Sequence, residues 1–478
     1  MTTKAIQTLQ ENFPAPQVIL PQTEEFNTLN TSYLSALESD ITPACIFCPR
    51  SAEDVSKFLK IIAPLATCGE AEFAIKGAGQ QPLPGCANVE AGITLDLSLL
   101  TGVDVKDTSV SIAAGERWGD VYKALEGKNC GVCGSRSSRG GIGGLALAGG
   151  LSFFSSREGF ISDNVLAYEI VLAPGKIVNA SATENPDLWR ALRGGGNNFG
   201  IVTRYEVRTF EQGPFWCGSV YYFQPSFTQQ IDALVAELTA PDATDETHLM
   251  ISVGYASQFG QVMCQNQVYY TRETETLPTA LQPFTDIQPK LDQISSLRIQ
   301  GLKAAAGEQA AVAMDQQRCA YMNTTVKADA AILKAAADMY TAALEPIKGL
   351  EGVVCSLTLQ PYATSLLKKS SSQGGNSLGL TSDDGPLVSV LLLTYWKNKS
   401  DDAQIIGLMK GTLERIDQEA QQRNLAVPFK YLNYAFNFQD PIASYGAENK
   451  AKLQEVARKY DPEGVFQKHV PGGFKLFP

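Results

Sequence analysis

An α+β fold in more than one part is the architecture this sequence predicts, on three observations. Residues 44–208 alternate short β-rich runs with helical stretches. After Gln212-Gly213-Pro214 the chain changes to longer strand-like runs accompanied by two amphipathic helical patterns. The length of 478 residues also exceeds what one hydrophobic core supports.

Taken in order, residues 52–62 carry apolar side chains at helical spacing, and residues 71–75 and 93–97 read as strands. Further strands are predicted at 110–113, 166–172 and 201–208, separated by a helix over 118–125 and by a glycine-rich tract at 140–150. That tract is too rich in glycine for a stable helix and too poor in side chains to fill a core. Its expected use is close approach of backbone to a ligand. Beyond residue 213, runs at 216–223, 249–255, 261–271, 353–360 and 387–396 predict a sheet, and the patterns at 328–344 and 402–422 predict helices covering it. The Ser/Gly/Asp-rich stretch 368–385 predicts an exposed loop, either a lid or a plain surface segment.

With 44% apolar and 19% charged residues the chain is globular rather than disordered. A net charge of -11 opposes adhesion to nucleic acid or to an anionic membrane, so neither is an expected partner. The N-terminal residues lack a basic run followed by an apolar one, which predicts a soluble, cytosolic protein. Ten cysteines include two C-x-x-C pairs, Cys45/Cys48 and Cys130/Cys133. Cys130-Gly131-Val132-Cys133 lacks the strand-then-helix setting of a redox pair, and the two pairs lie too far apart in sequence to suggest one zinc site. Buried or spare thiols are expected, and no metal.

Two glycine loops carry the chemistry. Lys76-Gly77-Ala78-Gly79-Gln80-Gln81 has the form of a phosphate cradle, in which successive backbone amides face an anion. Gly141-Ile142-Gly143-Gly144-Leu145-Ala146 fits a loose dinucleotide fingerprint, with Asp163 downstream as a ribose contact would require. No β-branched strand precedes it, however, and Gly149-Gly150 would break the helix that must follow. Taken locally, both tracts remain open to a second reading as tight turns.

Together with Ile93-Thr94-Leu95-Asp96-Leu97-Ser98, Ala114-Gly115-Glu116-Arg117-Trp118-Gly119-Asp120, Asp163-Asn164-Val165, Gly194-Gly195-Gly196-Asn197-Asn198-Phe199-Gly200, Tyr431-Leu432-Asn433-Tyr434 and Tyr460-Asp461-Pro462, these loops resemble a known family over nearly the whole chain. It is that of the FAD-linked oxidases of the vanillyl-alcohol oxidase and p-cresol methylhydroxylase type, in the berberine-bridge-enzyme-like branch of fungal secondary metabolism. The resemblance implies an FAD-binding domain formed by both chain ends (residues 1–212 and 425–478) and a central substrate domain (213–424) with an antiparallel sheet covered by helices. It further implies that FAD is held by Lys76, Gly77, Ala78, Gly79, Gln80, Gln81, Gly141, Gly143, Gly144, Gly149, Asn164, Ile201, Val202 and Asn433.

Family members commonly tether the flavin to a histidine and some also to a cysteine. Here Gln80 and Ser137 stand at those positions, and neither side chain can form the bond. Non-covalent FAD is therefore expected. The resemblance makes Tyr434 the candidate base and Tyr431 the second. Gln360, Tyr362 and Tyr395 lie on strand-like runs that make them candidates to face the flavin and a small-molecule substrate, and Phe436, where the family has an acid, reads as apolar pocket wall. The implied reaction is hydride removal with O2 as electron acceptor. The alternatives are a redox-neutral isomerase or cyclase on the same fold, which Gln80, Ser137 and Phe436 favour, and a catalytically silent binding protein.

Overall fold

The computed structural model describes residues 2–311, 314 and 316–477 and contains three sheets. The first has four strands in the order Val18–Ile19, Cys45–Phe47, Ile93–Asp96, Phe73–Lys76, and the last three run parallel. Parallel neighbours require a crossover, supplied by the helix Ala52–Thr67. Ser51 caps it, accepting a hydrogen bond from the Asp54 amide, and Val55, Phe58, Leu59 and Ile62 form its buried stripe. The helix continues past the predicted end because Pro64 removes one hydrogen bond without removing the packing of Ala66.

The second sheet is antiparallel: Val103–Val105, Ser109–Ala113, Ile201–Glu211, Val165–Val171, Ile177–Ser181. Cys130 lies in a short strand, Cys130–Val132, paired with the end of Ile201–Glu211, and the next helix begins only at Ile142. All ten cysteines are free. The glycine tract departs from expectation, since Ile142–Leu147 is helical. Burial of Ile142, Ala146 and Leu147 overrides the poor propensity of Gly143 and Gly144. Gly149 and Gly150, at φ +95 and +84, then end it.

The third sheet has eight antiparallel strands in the order Arg298–Gln300, Phe215–Phe223, Gln261–Tyr270, Thr247–Ala256, Val354–Tyr362, Leu387–Trp396, Arg318–Lys327, Ala426–Val427. Helices Phe227–Thr239, Ala330–Ala343 and Asp402–Gln422 cover one face, sharing a core with Ile251, Leu357, Val390 and Met322. The opposite face looks toward the glycine tract. Strand Arg318–Lys327 was not predicted. Its face toward the helices includes Ala320, Met322 and Val326, but its other face carries Tyr321 and Asn323, so no apolar run marks it.

Residues 429–476 return to the first core, where Phe429, Ile442, Tyr445, Val465 and Phe466 pack with Phe73 and Leu192. The Phe73 amide bonds to the His469 carbonyl at 3.0 Å, and Tyr445 Oη donates to the Gly194 carbonyl at 3.1 Å. Residues 368–385 are only in part the exposed loop expected. Helix Thr364–Ser372 takes their start, Arg193 Nη1 donates to the carbonyls of Gln373 (2.8 Å) and Gly375 (3.0 Å), and Leu378 is buried. Among the described residues no helix is long and apolar enough to cross a membrane.

Candidate functional site

Between the glycine loops and the eight-stranded sheet lies a cavity of about 940 Å³, at the upper end of the roughly 300–1,000 Å³ of ligand sites. Gly77, Ala78, Gly79, Gln80, Gln81, Ser137, Gly141, Gly143, Gly144, Ile201, Val202 and Asn433 line it, together with Gln360, Tyr395, Tyr431 and Tyr434. The backbone turns at Gly79 (φ +64), where a Cβ would meet Tyr33 Cδ1 at 2.9 Å. A Cβ on Gly141 would stand 2.5 Å from Ala78 Cβ, so Gly141 is what admits alanine into the first loop. Gly77 backs onto Gly143, its Cβ position lying 3.8 Å from Gly143 Cα. At Gly144 nothing lies within 4 Å, and that position opens into the cavity.

Bare backbone on two adjoining loops, facing a space that a single Cβ would begin to fill, fits the dinucleotide that the resemblance implies. Gly144→Val is accordingly expected to change the stability of the apoprotein by less than about 0.5 kcal/mol, while lowering FAD retention at least about tenfold, a difference of roughly 1.4 kcal/mol. The ratio of flavin to protein absorbance after gel filtration measures the second effect, and urea denaturation the first. Full FAD retention by the valine variant would place the dinucleotide elsewhere.

Not every residue expected at the cofactor reaches the cavity. The Lys76 ammonium points to the other side of its strand, 3.0 Å from Asp96, 2.8 Å from the Leu29 carbonyl and 2.7 Å from Ser32 Oγ. This follows from strand alternation, which turns successive side chains to opposite faces. Asn164 is buried, donating to the carbonyls of Glu158 and Phe160 at 2.9 Å and accepting from Arg208. Gly149 is the turn after the short helix, packed behind Leu378 and Tyr431. Cys133 is fully buried away from the cavity, its thiol pushed up to about 12 by burial.

At the positions of the family's tethers, Gln80 Nε2 donates to the Ala78 carbonyl at 3.4 Å, and the Ser137 amide donates to Ser135 Oγ at 3.1 Å. Gln81 Nε2 reaches the Leu432 carbonyl at 3.2 Å, linking the first loop to the C-terminal motif.

That motif forms a single turn, Leu432–Tyr434. Tyr434 Oη accepts from Arg136 Nη2 at 2.7 Å and donates to Gln360 Oε1 at 3.2 Å. Arg136 Nη1 lies 2.9 Å from Gln360 Oε1, 3.1 Å from His248 Nε2 and 2.7 Å from Met250 Sδ. Arginine has no acceptor, so His248 Nε2 must be the unprotonated nitrogen. Burial, and then the adjacent guanidinium, hold the His248 pKa well below its ordinary value, keeping the ring neutral. The Tyr434 ring packs edge-on against Tyr431 at 4.8 Å and Tyr321 at 5.9 Å.

Tyr431 serves differently from Tyr434. Its hydroxyl accepts from Asn433 Nδ2 at 2.9 Å, and burial raises its pKa, which makes it a poor proton acceptor at neutral pH. Tyr395 lines the cavity 3.4 Å from Tyr321 Oη, and burial raises its pKa too. Two expected substrate contacts are corrected. Tyr362 stands behind Tyr431, buried against Phe160 and Phe429. Phe436 is 2% exposed in the core beneath the eight-stranded sheet, because the chain leaves the cavity after Tyr434 and Gln439 ties the Phe436 amide to Asn323. Arg136 and His248 were not foreseen. The only signal for Arg136 is a basic side chain beside Ser137 in a loop of small residues, and His248 lies far from every flavin motif.

A family model described as "FAD binding domain" matches residues 43–181. The "FAD-dependent monooxygenase tpcD" of Cochliobolus heterostrophus is 37% identical over 444 residues, covering 91% of this chain and 85% of that protein. Among solved structures, glucooligosaccharide oxidase from Acremonium strictum, described with a 6-S-cysteinyl, 8α-N1-histidyl FAD, superposes with a TM-score of 0.80 at 21% identity over 99% of both chains. Physcomitrella patens BBE-like 1 gives 0.80 at 18% identity, again over 99% of each. At these identities the two structures show a shared fold and nothing finer.

Proposed function

The chain belongs to the FAD-dependent oxidoreductases with a p-cresol-methylhydroxylase-type FAD-binding domain and a berberine-bridge-enzyme-like fold, and on that premise we propose that it is an oxidase of a small biosynthetic intermediate. The substrate would lose two electrons and two protons to O2, giving hydrogen peroxide. Tyr434, held between Arg136 and Gln360 on the cavity wall that also carries the glycine loops, is the observation behind this reading.

Gly77, Ala78, Gly79, Gly141, Gly143, Gly144, Ile201, Val202 and Asn433 would hold FAD, which when bound supplies a two-electron acceptor. Tyr434, after giving up its own proton to solvent, takes as tyrosinate the proton that the substrate loses as its carbon is oxidised. Arg136, 2.7 Å away, stabilises negative charge on the Tyr434 oxygen, and Gln360 fixes the hydroxyl's direction. Tyr431 and Tyr321 clamp the Tyr434 ring and keep water from its faces. Gln80 and Ser137 offer neither the imidazole nor the thiol of the family's tethers, so retention rests on hydrogen bonds and burial.

Acid precipitation of the purified protein is expected to leave yellow flavin in the supernatant. A yellow pellet would show a covalent link and refute the non-covalent reading, and a colourless protein that added FAD cannot restore would end the oxidase reading. Bleaching by substrate without oxygen, then peroxide on aeration, is expected of the oxidase. Turnover with neither would point to a redox-neutral isomerase, the reading that the loss of both tethering residues favours.

A further inference from the structure

Among the described residues that line the cavity, Arg136 alone carries a full charge at neutral pH. Its hydrogen-bond partners are all neutral: a phenol, an amide, a thioether and an imidazole held uncharged by burial. Other cations drawn into this molecule meet carboxylates, as Lys76 with Asp96, Arg318 with Asp40 and Asp402, and Arg157 with Glu158 and Glu246, or backbone carbonyls, as Arg193, Arg117 and Lys475. Among the described residues Arg136 has neither. A guanidinium facing a largely apolar space without a carboxylate is costly to keep, and it is repaid when an anion enters.

The sheet above it is polar yet uncharged. Ser252 bonds to Thr358 at 2.9 Å, Gln265 to Tyr221 at 3.0 Å and Gln267 to Gln309 at 2.8 Å. These side chains satisfy one another, so that wall accepts a neutral, oxygen-bearing body and does not supply the missing charge.

We propose that Arg136 is the substrate anchor, and that the substrate presents an anionic oxygen, a carboxylate or the enolate of a 1,3-dicarbonyl, to the guanidinium beside Tyr434. This rests on the oxidase reading for the reaction but not for the binding. The anion docks within reach of Tyr434, so the charged end of the substrate is the reacting end and the apolar remainder lies along the sheet.

The test is calorimetric titration of the protein as purified with two pairs of probes at pH 8: 2-naphthoate against 2-naphthamide, and dimedone against its neutral methyl enol ether. At least one anion is expected to bind about tenfold or more tightly than its neutral twin, as a charge-assisted hydrogen bond allows. The pair that shows the preference tells carboxylate from enolate. Arg136→Gln is expected to erase the preference with FAD content and visible spectrum unchanged, and Arg136→Lys to keep part of it. Equal binding of anions and neutral twins overturns the proposal, as does a preference that survives Arg136→Gln. Loss of FAD from Arg136→Gln while Arg136→Lys retains it would assign the charge to the cofactor instead, and overturns it equally. Failure of the oxidase reading shows separately, as flavin that no substrate bleaches or as a colourless protein whose anion preference is intact.

Discussion

Tyr434→Phe is expected to lower kcat/KM by about 10²- to 10⁴-fold, the usual worth of a positioned acid or base. The substitution removes one oxygen and little else. The ring keeps its edge-on packing against Tyr431 and Tyr321, and the glycine loops do not involve the hydroxyl. FAD content and thermal midpoint should therefore match the wild type, and the loss should appear in the rate of anaerobic bleaching as well as in steady-state turnover. Tyr431→Phe supplies the contrast. Its hydroxyl is engaged by Asn433 and its proton is held tightly by burial, so a loss below about tenfold is expected there. If the two variants lose equal activity, or Tyr434→Phe loses less than tenfold, the proton goes elsewhere.

Lys76→Met is expected to cost about 3–5 kcal/mol of stability, because it leaves Asp96 buried without a countercharge. Asp96 Oδ1 accepts from the Ser98 amide at 2.9 Å, but Oδ2 has only the ionic contact with Lys76 at 3.0 Å and no well-directed hydrogen bond. Both side chains are almost wholly inaccessible, at 3% and 1%. Removing both charges together, as Lys76→Met with Asp96→Leu, should recover much of the loss. Urea denaturation of the three proteins measures this. A Lys76→Met protein of normal stability but weakened FAD affinity would instead return Lys76 to the phosphate role that its place in the glycine loop suggested.

The contrast between Lys76 and Gly77 shows what was legible in the sequence. The loop, its neighbours and the family were readable because glycine is placed by backbone demands that local sequence carries. The direction of a side chain leaving a strand depends on register, and the Lys76 side chain belongs to the far face. Most strands and the helices Ala52–Thr67, Ala330–Ala343 and Asp402–Gln422 were visible as periodic patterns. Strand Arg318–Lys327 was hidden because only one of its faces is apolar. The helix Ile142–Leu147 was hidden because tertiary packing, not propensity, makes it. Within the site, Tyr434 and Gln360 came from motif and strand pattern, and the structure brings them within 3.2 Å. Arg136 could not be found that way: its importance is its nearness to residues 112, 114, 224 and 298 positions away.

The return of residues 429–476 to the first core bears on how the molecule is made. Phe73 on a parallel strand donates its amide to the His469 carbonyl, Gly194 is held by Tyr445, and Asn198 donates to the Phe474 carbonyl and accepts from Gln467. A nascent chain emerging from the ribosome can complete the eight-stranded sheet as soon as Val427 is out, but the earlier half stays open until its last partners have been synthesised. The part begun first is thus the part finished last, and a stop codon in the final few dozen positions would spare the eight-stranded sheet while leaving the earlier half with an unsealed apolar interior for chaperones and proteases to find.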